Sequence, residues 1–168
     1  MKAIPEIKLT GVMGYEAQIA GLAEKNPFSK LLNPLKQFIK MLSVKDVTKK
    51  RAAISKFLTD QNMVLEIFNG GGTGSLATTS EEPWITEVTA GSGFLQSHLF
   101  DYYGESRSVP AMAFALPITR IPQPGIVTCQ SGGFIGSGEI GPDKAPLPFL
   151  PQDVRSIKSE GFGEVQTP

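Results

Sequence analysis

The stretch Met63-Val-Leu-Glu-Ile-Phe68, followed by Asn69-Gly-Gly-Gly-Thr-Gly-Ser75, decides how this chain is read. The first part is apolar apart from Glu66 and too short for a helix, so it predicts a buried strand over residues 64–68. Four of the next six residues are glycine. Glycine loses more backbone freedom on folding than any other residue, so four at a strand end mean that something comes close to that backbone. Successive N–H groups without side chains in the way form a nest that receives an anion, above all a phosphate. Thr73 and Ser75 add hydroxyl donors, and a short helix over 75–80 adds its dipole. On this stretch alone, a plain turn without a ligand stays open as the alternative.

Two familiar phosphate loops do not match. A P-loop needs Lys and then Ser or Thr after its last glycine, and here Gly74 is followed by Ser75-Leu76. The dinucleotide pattern Gly-x-Gly-x-x-Gly is absent from residues 70–75, and no acidic residue closes a second strand about twenty residues on. A phosphate site at the C-terminal end of a late barrel strand fits better.

Working outward, Leu35, Phe38, Ile39, Leu42, Val47, Ala53, Ile54, Phe57 and Leu58 recur at spacings of three and four. They predict an amphipathic helix over 34–58, with Asn33 as N-cap, Pro34 in its first turn and a break near Ser43. Lysines 36, 40, 45, 49, 50 and 56 lie between them and read as its solvated face. Residues 6–13 predict a strand before it. Strand, long helix, strand and glycine loop is the alternation of a parallel sheet or barrel. After residue 84 glycine and proline are dense. Strands are expected over 85–89, 111–121 and 125–130, with Pro122-Gln-Pro-Gly125 as a turn. Residues 142–151 read as a proline-rich extended loop, and 161–168 as the start of a further strand.

Of the 168 residues, 40% are hydrophobic and 19% charged, a globular composition. Sixteen basic and sixteen acidic residues cancel, so no electrostatic footprint for nucleic acid or an anionic membrane exists. No run reaches transmembrane length. The single cysteine, Cys129, excludes an internal disulfide framework and fits a reducing compartment, so the expected location is the cytoplasm.

Two more stretches complete an ordered trio: Gly11-Val-Met-Gly-Tyr-Glu-Ala-Gln-Ile-Ala-Gly21 before the helix and Thr86-Glu-Val-Thr-Ala-Gly-Ser-Gly93 after the glycine loop. The trio resembles the pyridoxal-phosphate enzymes that include D-threonine aldolase and D-serine dehydratase, in particular the amino acid deaminase/aldolase branch. The resemblance spans most of residues 6–130. It implies an α/β fold: the C-terminal half of a pyridoxal-phosphate-binding (β/α)8 barrel of the alanine racemase type, over residues 1–83. Part of a β-rich, D-serine dehydratase-like domain then follows over 84–168. It implies that Gly71, Gly72, Thr73 and Gly74 hold the cofactor phosphate and that Tyr15 faces the cofactor pocket. Glu87 and Gly91 to Gly93 match the stretch leading out of the barrel, and Tyr103 lines the pocket. The cofactor implied is pyridoxal phosphate, and the implied activity is that of an amino acid lyase, an aldolase or deaminase acting on D-β-hydroxy or related amino acids.

The family's cofactor-binding lysine lies before the tyrosine strand, and no matching stretch is present here, so the catalytic residue is unknown. Lys8 is a weak substitute. His98 reads as structural or pocket-edge and Cys129 as a small buried hydrophobe, because neither has the neighbour that a metal pair needs. Glu16 and Glu66 lie near strand ends, and Glu66 reads as a barrel-wall residue. Glu81 and Glu82, beside Pro83, read as a solvated turn. The chain therefore reads as an internal piece of a longer lyase, without turnover by itself. Half a barrel leaves open edges, so its expected partner is a second copy or the missing barrel half. The alternative reading is a non-catalytic module that binds phosphate or pyridoxal phosphate.

Overall fold

The structure is a computed structural model that describes residues 4, 6–104, 109–134, 141–157 and 161–168. It divides into two compact units, Met1–Val109 and Pro110–Pro168.

The first unit holds strands β1 (Gly11–Gly14), β2 (Ile67–Gly70) and β3 (Glu87–Val88), and helices α1 (Asn33–Asp60) and α2 (Leu76–Ser80). The strands form a parallel sheet in the order β1-β2-β3, with Gly14 beside Gly70 and Asn69 beside Glu87. Parallel neighbours need a long crossover, and α1 supplies the one from β1 to β2. Strand β1 is shorter than the expected 6–13, because only residues 11–14 find partners on β2. β2 runs two residues further than expected, into the glycines.

Helix α1 is one continuous helix of 28 residues. Ser43 does not break it, since no Gly or Pro follows Pro34 within it. Its N-cap is Leu32, without a side-chain cap, rather than Asn33. Asn33 instead donates from Nδ2 to the carbonyl of Asn26 at 3.1 Å.

The face that α1 buries differs from the expected one. Lys40, Val47, Arg51 and Leu58 are its buried residues. Their spacings of seven, four and seven put them in one stripe. Leu35, Phe38, Ile39, Leu42, Ile54 and Phe57 are exposed. Of the predicted apolar face only Val47 and Leu58 are buried, and Lys40 does not belong to a solvated face. The physical reason is that this face carries the cations that pair with buried carboxylates, Lys40 with Glu24 and Arg51 with Glu16 and Glu82.

Phe68, Gly14 and Gly70 point at α1. Alternation along the strands puts Met13 and Ile67 on the opposite face, where they are 72% and 44% exposed.

The second unit is an antiparallel sheet, β4 (Ile118–Gln123), β5 (Ile126–Gln130) and β6 (Gln166–Thr167), in that order. β4 begins at Ile118 rather than residue 111, consistent with Pro110 and Pro117 lacking a ladder donor. Pro122 is accommodated because β4 lies at the edge of the sheet. Pro124-Gly125 makes the two-residue turn, with Gly125 at φ +80°. The strand expected over 161–168 contributes Gln166 and Thr167 to β6. The chain is thus mixed α/β with one parallel and one antiparallel sheet, as the sequence predicts at that level.

Candidate functional site

The four glycines at the end of β2 have four different neighbours. A Cβ on Gly70 would stand 2.6 Å from Nη2 of Arg51, and one on Gly14, its neighbour in the sheet, 3.1 Å from Nε. Two adjacent strand-end glycines thus open a slot in which the guanidinium lies. Gly71 is at φ +91°, a conformation that favours glycine. A Cβ on Gly72 would meet the Tyr15 ring at 3.3 Å, and one on Gly74 the Tyr103 ring at 2.5 Å. Side chains from three segments press on this backbone.

Arg51 is the centre of a buried network. It donates to the Gly14 carbonyl from Nε at 3.0 Å and to Glu82 Oε1 from Nη1 at 2.8 Å. Nη2 is paired with Glu16. Glu82 also accepts from Trp84 Nε1 at 2.8 Å and from Thr48 Oγ1 at 3.2 Å. Glu16 accepts from the Thr79 hydroxyl and, through both oxygens, from the Gly71 amide at 2.9 and 3.0 Å. Its charged members and Thr79 are buried, Arg51 and Glu16 at 2% exposed, Glu82 at 8% and Thr79 at 1%, while Thr48 and Trp84 are half-buried. Glu82 is therefore no solvated turn residue. It is drawn in because Arg51 presents donors in a fixed fork.

Replacing Gly70 by alanine puts a methyl group against the clamped guanidinium and, at 3.2 Å, against Thr79. The expected loss is about 1–3 kcal/mol, the usual cost of overpacking, measured by urea unfolding. An unchanged midpoint would show that Arg51 has room to move.

The Gly71 N–H turns onto Glu16 and the Gly72 N–H onto Ser75 Oγ at 3.1 Å. Among the described residues no acceptor takes the N–H groups of Thr73 or Gly74. Thr73 rests against Gly93, where a Cβ would lie 2.9 Å from its Cγ2. The structure thus brings Tyr15, Gly71 to Gly74, Gly93 and Tyr103 together at the C-terminal end of the parallel sheet.

Behind Tyr103 lies a second buried pair. Lys40 Nζ is 2.9 Å from Glu24 Oε1, with side-chain exposures of 9% and 8%. The same oxygen accepts the Gly104 amide at 3.0 Å. Lys40 Nζ is 5.7 Å from the Tyr103 ring centroid, a cation–π contact. Burial pushes the Tyr103 hydroxyl above its ordinary value; a backbone hydrogen bond with Gly21 opposes this, while the Glu24 charge and Tyr15 add to it. For Glu24, burial pulls upward. Hydrogen bonds from Lys40, its own amide and Gly104, with the Lys40 charge, outweigh it and hold the carboxyl below its ordinary 4.5.

The sign follows. A folded-state value below the unfolded one gives stability that is fully present above pH 4.5 and is lost as pH falls through the folded value. The stability difference between the chain and a Glu24→Gln variant should therefore shrink as pH is lowered. A difference that does not change with pH would contradict the pairing.

Other predicted residues fall elsewhere. Lys8 and Glu66 form an exposed ion pair at 2.8 Å. Both precede their strands, so they sit at the sheet end opposite the glycine loop. Lys8 is no substitute for a cofactor lysine there, and Glu66 is a surface residue. Glu87 accepts from Asn69 Nδ2 at 2.6 Å, on the sheet face away from α1. His98 sits in a one-turn helix edge-on to Tyr102 at 5.9 Å. Cys129 is half-buried on β5 rather than fully buried. Among the described residues no group of three or more His, Cys, Asp or Glu could hold a metal ion, and no helix is long and apolar enough to cross a membrane.

Sequence reasoning missed Arg51, Thr79 and Glu82. One sign was present: Arg51 is the only arginine among the lysines of α1, and a rigid five-donor fork suits a buried multi-partner role that lysine does not.

No family model matches this sequence, and no curated protein does. The chain is similar in fold to the crystal structure of D-threonine aldolase from Filomicrobium marinum, with a TM-score of 0.56 over 96% of its length. The fold is aldolase-like. Identity is 19%, and the match covers 40% of the aldolase chain. At that identity the likeness is one of fold, and the chain spans well under half of that structure's length.

Proposed function

We propose that this chain is the phosphate-holding part of a pyridoxal-phosphate-dependent amino acid lyase, an aldolase or deaminase acting on D-β-hydroxy or related amino acids. The observation that carries the reading is the loop at the end of β2. Its Thr73 and Gly74 amides have no acceptor among the described residues, and it lies in an aldolase-like fold. The loop suits a phosphate: Gly72 and Gly74 lack side chains that would block approach, and Thr73 adds a hydroxyl. Gly71 shapes the loop from within, through its N–H on Glu16. Tyr15, 56% exposed beside Gly72, serves as a wall for the cofactor ring.

When bound, pyridoxal phosphate supplies an electron sink for the substrate's α-carbon. The chain's share is anchoring and orientation. Neither Lys40 nor Lys8 is placed for covalent attachment: Lys40 is committed to Glu24 and Lys8 is at the far end of the sheet. The isolated chain is therefore expected to show no turnover. A parallel sheet is normally covered on both faces, and here Met13 and Ile67 stand open. This supports completion by further polypeptide, the other half of a (β/α)8 barrel, with the second unit as part of the β-rich domain. The unpaired Cys129 fits a cytoplasmic setting.

The test is a titration with pyridoxal phosphate, with phosphate-free pyridoxal as control, then borohydride reduction and peptide mapping. Phosphate-dependent binding without a trapped lysine is expected. Equal affinity for the two compounds would overturn the loop's role. A lysine trapped at one position would make the chain a working enzyme. The second reading, a non-catalytic module for phosphate or pyridoxal phosphate, is favoured by the commitment of Lys40 to Glu24, and turnover by the chain joined to a complementary barrel half would reject it.

A further inference from the structure

The proposed function uses the Glu16–Arg51–Glu82 triad only through the hydrogen bond that Glu16 accepts from the Gly71 amide. We propose that Glu16 and Arg51 are positioning residues for anion binding: they turn the first loop amide inward and so aim the next two free amides, those of Thr73 and Gly74, outward. This rests on the phosphate reading of the same loop.

Three features support it. Both Glu16 oxygens accept the Gly71 N–H, at 2.9 and 3.0 Å. A carboxylate this close to an anion site would repel the anion unless its charge were neutralised, and Arg51 is paired with it, both 2% exposed. In so dry a setting the repulsion would be large. The second carboxylate, Glu82, then holds the guanidinium from its other side at 2.8 Å, so the fork cannot swing to the anion itself. Arg51 thus acts on the ligand only through Glu16 and the backbone. Finally, the guanidinium donates to the Gly14 carbonyl and lies against Gly70, the sheet neighbour of Gly14, so it is registered to both strand ends from which the loop departs. Thr79, on α2, fixes the remaining freedom of Glu16 by donating its hydroxyl to Oε1.

The experiment compares pyridoxal phosphate, inorganic phosphate and pyridoxal as ligands of the wild-type chain and of Arg51→Lys, Glu16→Gln and Thr79→Val. Folding is followed by far-UV circular dichroism. Hydrogen exchange is measured on the peptide covering residues 69–75. Each variant is expected to bind pyridoxal phosphate and phosphate at least tenfold more weakly while pyridoxal binding changes by less than threefold. Exchange at the Gly71 amide should rise in Glu16→Gln even without ligand. Equal losses for pyridoxal and pyridoxal phosphate would mean a merely structural triad and overturn the proposal. So would unchanged phosphate affinity in a folded variant. If Arg51→Lys does not fold, Thr79→Val, which keeps every charge, decides. If the wild type binds neither phosphate compound, the phosphate reading itself fails. Unaltered exchange at Gly71 in Glu16→Gln would separately refute the positioning role.

Discussion

Replacing Arg51 by leucine is expected to lower stability by about 3–5 kcal/mol, the cost of leaving a buried charge without its partner. Two carboxylates, Glu16 and Glu82, would remain at 2% and 8% exposure with no cation beside them. Water cannot reach them, so the loss is not recovered by hydration. The chain has one tryptophan, Trp84, whose indole N–H donates to Glu82 at 2.8 Å. Its fluorescence therefore reports on the triad directly. At a urea slope of about 1–3 kcal/mol/M the midpoint should fall by at least about 1 M, and a marginal domain would be unfolded from the start. The triple replacement Glu16→Gln, Arg51→Met, Glu82→Gln is expected to lose less than Arg51→Leu alone, because no buried charge is then stranded. A loss under about 1 kcal/mol in Arg51→Leu would show that the guanidinium is hydrated in solution.

The second large effect is expected at Lys40. Lys40→Met keeps the length and apolar stem of the side chain and removes only the ammonium. Glu24 would then be held only by backbone amides, its own and that of Gly104, and its Oε2 is already buried without a hydrogen-bond partner among the described residues. The expected loss is about 3 kcal/mol, toward the lower end for a broken buried pair because the two backbone hydrogen bonds remain. The Tyr103 ring also loses the cation lying 5.7 Å from its centroid. Since that ring packs against Gly74, the end of the glycine loop should loosen, visible as faster amide exchange at Gly74 and Ser75. Stability equal to wild type, measured by the same urea unfolding, would refute the pair. Lys40→Arg, which keeps the charge, should restore most of the loss.

The two buried pairs share a design. Each takes a cation from α1 and a carboxylate from a loop at the C-terminal end of the sheet, and each ends on the glycine loop: Arg51 through Glu16 on Gly71, Lys40 through Tyr103 on Gly74. The apolar core is correspondingly small. Among the described residues Ile19, Val47, Leu58 and Phe68 are its buried hydrophobic side chains, while much of the apolar surface of α1 stays open. Ordinary globular domains reverse this, burying aliphatic residues and leaving lysine outside.

Short-range chemistry decided much of what the sequence alone could determine. The amphipathic run after Asn33, the apolar run before Asn69 and the Pro-Gly turn at 124–125 are local patterns, and α1, β2 and the β4–β5 hairpin followed from them. The glycine cluster was legible as a place of close approach, because the entropy cost of four glycines belongs to the residues themselves. What approaches them was not legible. Arg51, Glu16 and Glu82 lie 31 or more positions apart in all three of their pairings, and only the parallel pairing of β1 with β2 brings Gly14 beside Gly70 and opens the slot between them. The side of α1 that turns inward was likewise undecided by periodicity. Its apolar stripe and its Lys40–Arg51 stripe are both regular, and hydrophobic patterning favoured the first. The tertiary structure chose the second because carboxylates on separate loops are buried at the sheet's end, and a buried carboxylate requires a cation more strongly than an aliphatic side chain requires cover.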